Sequence, residues 1–281
     1  MPAQPPSGAI TMTSDKFLSR VRAWRRQRFG VPPADQSARE MAAWFGTPLG
    51  QAMLAAEKLT LEGALQDLFG YHLLQIGVDP ALDMTGSSRI THRVTIALSD
   101  AGAGSLSSLI ADPRQLPLPS GSVDLVVLHH ALDFSPTPHQ LLREAQRVLI
   151  PRGCLVVVGF NPWSGFGLSR HVARLFSRHA LWRHQPLRLG RLLDWLQLLD
   201  LEPDRVQRGF YRPALQHPGA LRRLQWCDQW GKRLHLPGGA FYQVLACKEL
   251  GGAVPVKPAW ERRPSSLPGL GAQPMRKDQK Y

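Results

Sequence analysis

Ser122-Val123-Asp124-Leu125-Val126-Val127-Leu128-His129-His130 is followed by Pro138-His139-Gln140-Leu141-Leu142-Arg143-Glu144, then by Arg147-Val148-Leu149-Ile150-Pro151-Arg152-Gly153-Cys154-Leu155-Val156-Val157-Val158. The runs Leu125-Val126-Val127-Leu128 and Leu155-Val156-Val157-Val158 are apolar on both faces, as strands buried on both sides of a parallel sheet must be. The intervening stretch has its apolar residues at helical spacing and begins with proline, which suits a first helical turn. Strand, helix and strand in this order form a parallel crossover unit, so the chain reads as an α/β fold.

Working outward, the same alternation continues. Short apolar runs at 72–77 and 92–98 read as strands. Residues 47–69 carry Leu49, Met53, Leu54, Leu61, Leu65 and Leu68 at helical spacing, behind a Thr47 N-cap and Pro48. Downstream, 189–199 reads as an amphipathic helix, 205–211 as a strand, 219–234 as one helix and 241–248 as a final strand. The domain is expected over residues 36–249. It is preceded by a basic segment, 1–35, with a short amphipathic helix at 15–29, and followed by a disordered Pro/Gly-rich basic tail, 250–281.

The chain has 281 residues, 43% hydrophobic and 20% charged, enough to bury a sizeable core, and a net charge of +13. Basic residues dominate 1–34 and everything after 150, while 35–150 is net acidic, a split that fits either an anionic ligand meeting the second half of the chain or a solvated arginine-rich surface. No run of apolar residues is long enough for a membrane helix, and the N-terminal residues lack a secretory pattern, which together predict a cytoplasmic protein. Cys154, Cys227 and Cys247 are odd in number and lack metal-ligand spacing, so they read as small buried hydrophobes, with neither a disulfide framework nor a zinc site.

The stretch from Ala111 through Leu155 also contains Asp112, Leu116-Pro117, Asp124-Leu125-Val126, Leu142-Arg143-Glu144 and Arg147-Val148-Leu149-Ile150-Pro151. In this order and spacing it resembles the second half of the class I S-adenosylmethionine-dependent methyltransferases, in the methyltransferase type 11-like branch. Trp44-Phe45, Thr47-Pro48, Gly50 and Gly159-Phe160-Asn161-Pro162-Trp163-Ser164 resemble an uncharacterised bacterial group within it. The resemblance implies a Rossmann-like sheet, mostly parallel with an antiparallel last strand and helices on both faces. It also implies S-adenosyl-L-methionine as cofactor.

Ligands of such sheets sit beyond the carboxyl ends of the strands. The resemblance therefore assigns cofactor contacts to Gln75, Gly77, Asp100, Asp112, Leu128 and His129. Among these, Asp100 would take the ribose hydroxyls and Asp112 the adenine amino group. It places His130, Asp133 and Asn161 near the substrate, with His130 as a base for the acceptor. Alternation along a strand would send His129 and His130 to opposite faces, so that one of them at most enters the cleft.

The first glycine motif departs from the family. Leu74-Gln75-Ile76-Gly77-Val78-Asp79-Pro80 has Gln75 where an acid is usual and Asp79 where a second glycine is usual. The 14 residues between Gly77 and His92 are too few and too broken for a crossover helix. Two readings stay open beside methyl transfer to an unidentified, anionic or small-molecule acceptor. One is a non-catalytic fold binding RNA or another polyanion; the other is a peripheral enzyme held on acidic lipid by the 15–29 helix. The sequence leaves the oligomeric state undetermined.

Overall fold

The computed structural model describes residues 19, 32–97, 109–112, 114–169, 179–234 and 236–249. The expected 15–29 helix, Asp100 and the 250–281 tail therefore lie outside the described residues, Ser19 excepted. Two helices come first, α1 (Ala34–Phe45) and α2 (Pro48–Leu65). Helix α1 was not anticipated; it buries Ser37, Ala38, Met41, Trp44 and Phe45 along one face. Thr47 joins the two helices as expected. Its hydroxyl donates to the Trp44 carbonyl (2.7 Å) and accepts from the Gly50 N–H (3.2 Å), capping α2. The corner is so tight that a Cβ on Gly50 would lie 2.1 Å from the Trp44 carbonyl oxygen.

The rest of the chain builds one sheet and its covering helices. In chain order these are β1 (His72–Gly77), β2 (His92–Ala97), β3 (Leu109–Ile110), β4 (Val123–His129), α3 (Ala131–Phe134), α4 (Pro138–Val148) and β5 (Leu149–Phe160). There follow α5 (Ala180–Arg183), α6 (Leu189–Leu198), β6 (Leu201–Gly209), α7 (Pro218–Arg223), α8 (Gln225–Arg233) and β7 (Phe241–Lys248). The strand order is β3-β2-β1-β4-β5-β7-β6. Strands β1 to β5 pair in parallel, and β7 inserts antiparallel between β5 and β6.

The doubly apolar strands behave as their sequence requires. Val126, Leu128, Leu155 and Val157 face a core shared with Leu141, Leu142, Leu192 and Leu196, while Leu125, Val127 and Val156 face Leu61 and Leu65 of α2. Burying each such side chain contributes roughly 1.5–3 kcal/mol. A third cluster, built from Phe45, Met53, Phe134, Val158, Phe160 and Phe166, roofs the carboxyl ends of the central strands.

Four expectations are corrected. The 205–211 strand is Leu201–Gly209, because the backbone leaves the extended region at Phe210 (φ 59°). The 219–234 helix is two helices meeting at Leu224, whose φ and ψ of −92° and 11° are not helical. The strand expected over 154–160 begins earlier, at Leu149, with Arg152 at a φ of 66° in a conformation better suited to glycine. Cys154 and Cys247, read as unpaired hydrophobes, form a disulfide across the β5–β7 pair, where their register places them opposite each other. Cys227 is free. As expected, residues 78–91 contain no helix.

Candidate functional site

The strand order reverses between β1 and β4, which places a crevice at the carboxyl ends of the strands. On the β3 side of this edge lies a cavity of about 680 Å³. Ile110, Ala111 and Asp112 form one wall, Phe134 at the end of α3 with residues 135–137 another, and Pro32 and Pro33 the approach to α1. Asp112 is held by Arg114, which donates Nε to Oδ1 (3.0 Å) and Nη2 to Oδ2 (2.7 Å). These hydrogen bonds, the Arg114 backbone N–H and the guanidinium charge keep the Asp112 carboxyl below its usual range against a small burial penalty. It is therefore an ionised acceptor at the cavity wall.

The two histidines at the end of β4 do something else. His130 has left the strand, with a φ of 53°, and this left-handed turn cancels the alternation that was to separate the two rings. Both imidazoles instead reach back to one carboxylate, Glu57 of α2. His129 Nε2 lies 3.0 Å from Glu57 Oε2, and His130 Nε2 lies 3.0 Å from Glu57 Oε1. His130 Nδ1 is 3.0 Å from Asp133 Oδ2, which also accepts the Phe160 N–H at 2.9 Å. The Phe160 ring stacks on His130 with centroids 3.9 Å apart, and Phe45 stacks on His129. Glu57, His130 and Asp133 are sealed from solvent, and His129 nearly so.

Charge explains the arrangement. Burial opposes ionisation of Glu57, yet the positive charge of His130 and hydrogen bonds from both rings hold its carboxyl down at about 2. Burial likewise opposes protonation of His130, but the Glu57 charge and hydrogen bonds to Asp133 and Glu57 lift it to about 9. His129 goes the other way. Its burial, with the charge of His130, outweighs its bond to Glu57 and lowers it, so at neutral pH it is an uncharged ring donating from Nε2. Its Nδ1 has no hydrogen-bond partner among the described residues. The donor atoms of Glu57, His129 and His130 lie within 4.8 Å of one another, a set of residues that could hold a metal ion. Their mutual hydrogen bonds already satisfy the carboxylate without one.

The remaining candidates are spread over the same edge. Gln75 donates Nε2 to the Leu82 carbonyl (2.6 Å) and accepts the Met84 N–H at Oε1 (3.0 Å), so its amide pins the 78–84 loop on β1. Asp79 is buried in that loop; burial raises its carboxyl despite a bond from the Ala81 N–H. Gly77 sits opposite His129 in the sheet, and a Cβ there would meet only ordinary contacts. Leu128 is core. Asn161 donates to the Pro237 and Gly239 carbonyls and accepts from the Trp163 N–H, fastening the turn after β5. Of the described candidates, Asp112 is the one that lines the cavity. Sequence reasoning missed Glu57. Its signal was an acidic residue on the apolar stripe Met53, Leu54 and Leu61, a position where a carboxylate needs a buried partner.

Residues 64–157 match the family model Methyltransf_11, described as a methyltransferase domain. The uncharacterized protein YafS of Escherichia coli is 35% identical over 208 residues, covering 73% of this chain and 80% of YafS. A demethylmenaquinone methyltransferase of Deinococcus radiodurans is 34% identical over 104 residues, and this chain spans 43% of its length. An S-adenosylmethionine-dependent methyltransferase of Thermotoga maritima superposes with a TM-score of 0.52 at 16% identity, covering 84% of this chain and 97% of that one. A Haloferax volcanii methyltransferase solved with its Trm112 activator gives 0.53 at 13% identity, covering 77% and 99%. At these identities the two structures speak for the fold alone, which is the sheet described above with its antiparallel β7. No described helix is long and apolar enough to cross a membrane. The chain belongs to the class I S-adenosylmethionine-dependent methyltransferase family.

Proposed function

We propose that this chain transfers the methyl group of S-adenosylmethionine to an acceptor bound beside the cavity at the carboxyl ends of β3 and β4. The observation that carries the reading is that cavity, about 680 Å³, with the ionised Asp112 on its wall. Its size suits a cofactor-sized ligand, and its place is that of ligands in open α/β sheets. The cofactor supplies a methyl group on a positively charged sulfur.

The residues present fit the adenosine half of that cofactor. Asp112 would accept from the adenine amino group, and Ile110, Ala111 and Phe134 would flank the ring. The amino-acid half meets less. Gln75 is committed to Leu82 and Met84, and residues 78–91 provide no helix N-terminus for a carboxylate. Affinity therefore rests mainly on the adenosine half.

The titratable groups among the described lining residues are Asp112 and Arg114, already paired with each other, and His130 is sealed beneath Phe160. Transfer then depends on positioning, and the acceptor supplies its own nucleophile, such as an oxyanion or an electron-rich ring carbon. An anionic acceptor also agrees with the basic second half of the chain. The alternative of a non-catalytic RNA-binding module finds no support among the relatives.

Thermal unfolding with added ligand tests the reading. S-adenosylhomocysteine at about 100 times its Kd adds roughly 2.7 kcal/mol to the native state, a rise of roughly 5–10 °C. 5′-Methylthioadenosine should raise the midpoint almost as much, and methionine should not. Asp112→Ala should weaken both nucleosides by roughly 10- to 100-fold, the worth of a hydrogen bond to a charged group. Unchanged affinity in Asp112→Ala would place the pocket elsewhere, and no shift at saturating ligand would remove the activity.

A further inference from the structure

The edge of the sheet away from the cavity carries a feature that methyl transfer does not use. Helix α8 is packed against the segment after edge strand β6, and its inward face is held through Gly231 and Asp228. A Cβ on Gly231 would lie 2.3 Å from the Tyr211 ring, so at this point the helix rests directly on that ring. Asp228 accepts the Tyr211 N–H at 2.7 Å and Arg212 Nε at 2.6 Å. The Tyr211 hydroxyl donates to the Leu236 carbonyl at 2.9 Å.

With Gly231 and Asp228 inward, the 3.6-residue period turns Trp226, Trp230 and Leu234 outward as a single stripe. They are 56%, 58% and 58% exposed. Arg233 and Gln229 share this face, Lys232 flanks it, and Arg222 and Arg223 precede it on α7. None of these four cations belongs to an ion pair among the described residues. The one acid of the α7–α8 segment, Asp228, is consumed by Arg212. On its other flank, Lys232 closes a groove of about 550 Å³ with Arg205, Arg208 and Tyr211, in which Arg205 lies 3.5 Å from Asp67.

We propose that the α7–α8 face docks on the surface of a lipid bilayer bearing anionic headgroups. Two indoles and a leucine at i, i+4 and i+8 suit the boundary between headgroups and acyl chains, where tryptophan is enriched. Unpaired arginine and lysine on the flanks complement headgroup phosphates and lay their alkyl stems along apolar surface. A helix whose inward face is held by the protein and whose outward face is aromatic and basic matches the interfacial binding mode. The groove beside Lys232 would take a headgroup. The element differs from the 15–29 segment of the sequence reading, and the proposal is independent of the methyl acceptor.

The test is co-sedimentation of the full chain with phosphatidylcholine vesicles, with and without phosphatidylglycerol. Binding should need phosphatidylglycerol, weaken as salt rises and survive added inorganic phosphate. Trp226→Ser/Trp230→Ser should weaken it by about tenfold or more at an unchanged unfolding midpoint, since both rings are exposed. Should that variant not fold, Arg222→Glu/Arg223→Glu carries the same expectation. Binding indifferent to phosphatidylglycerol, or equal in the variants and the parent, would overturn the proposal. So would light scattering showing a dimer that the tryptophan variant dissolves, because the stripe would then belong to a second copy.

Discussion

Replacing Glu57 with glutamine keeps the shape of the buried cluster and removes its central charge. The carboxyl titrates at about 2 in the fold against 4.5 for an unperturbed glutamate. At about 1.4 kcal/mol per pH unit, that difference makes the ionised form worth roughly 3 kcal/mol to the native state after burial has been overcome. The direction with pH follows from both partners. Glu57 is depressed, so its contribution is whole above 4.5 and is lost as pH falls toward 2; His130 is raised, so its contribution is whole below 6.5 and is lost as pH rises through about 9. The pair is thus at full strength between 4.5 and 6.5. The two shifts share the Glu57–His130 interaction and are not added. Glu57→Gln should cost roughly 3 kcal/mol near pH 6, a fall in Tm of roughly 6–12 °C for a domain this size. By pH 9.5 the gap should shrink to under about 1 kcal/mol, because His130 has lost its proton and glutamine can donate to the bare nitrogen. Urea titrations of both proteins from pH 6 to 9.5 measure it. A gap that stays constant with pH, or none at pH 6, would refute the charge pairing.

The Gln75→Glu substitution restores the acidic residue usual in the family, yet it should destabilise by roughly 1–3 kcal/mol at neutral pH, because a carboxylate cannot donate to the Leu82 carbonyl. Protonation should recover part of that loss, so denaturant midpoints of variant and parent should converge at acid pH; equal midpoints at neutral pH would mean that the amide does not pin the loop. Reduction of the Cys154–Cys247 bridge, which spans 93 residues, should cost at most about 4–5 kcal/mol by loop-closure entropy, read as a lower denaturant midpoint with dithiothreitol. Cys154→Ser/Cys247→Ser should match the reduced parent and not respond to reductant.

The sheet was legible because its evidence is local. Runs such as Leu125-Val126-Val127-Leu128 must be buried on two faces wherever they lie, and Thr47-Pro48 caps a helix through bonds within a few residues. Partners distant in sequence were not legible. Glu57 and His130 are 73 residues apart, and Cys154 and Cys247 are opposed only by the register of a strand reached after a long excursion. The histidines were misread for a narrower reason: strand alternation holds while φ stays extended, and His130 departs from it at a φ of 53°.

The altered glycine motif shows how such departures cohere. Residues 78–91 lack the crossover helix, so backbone groups at Leu82 and Met84 have no helical partners, and buried backbone groups must find others. One needs a donor and the other an acceptor, and glutamine is the side chain of that length that offers both. Gln75 and the missing helix are therefore one structural event, in which a residue position usual for cofactor binding has been turned to holding the loop. The same edge is roofed by Phe45 and Phe160, and it spends His129, His130, Asp133 and Asn161 on internal bonds. Open space for a ligand consequently moves along the edge to β3 and the segment after α3, where Asp112 stands at the cavity wall.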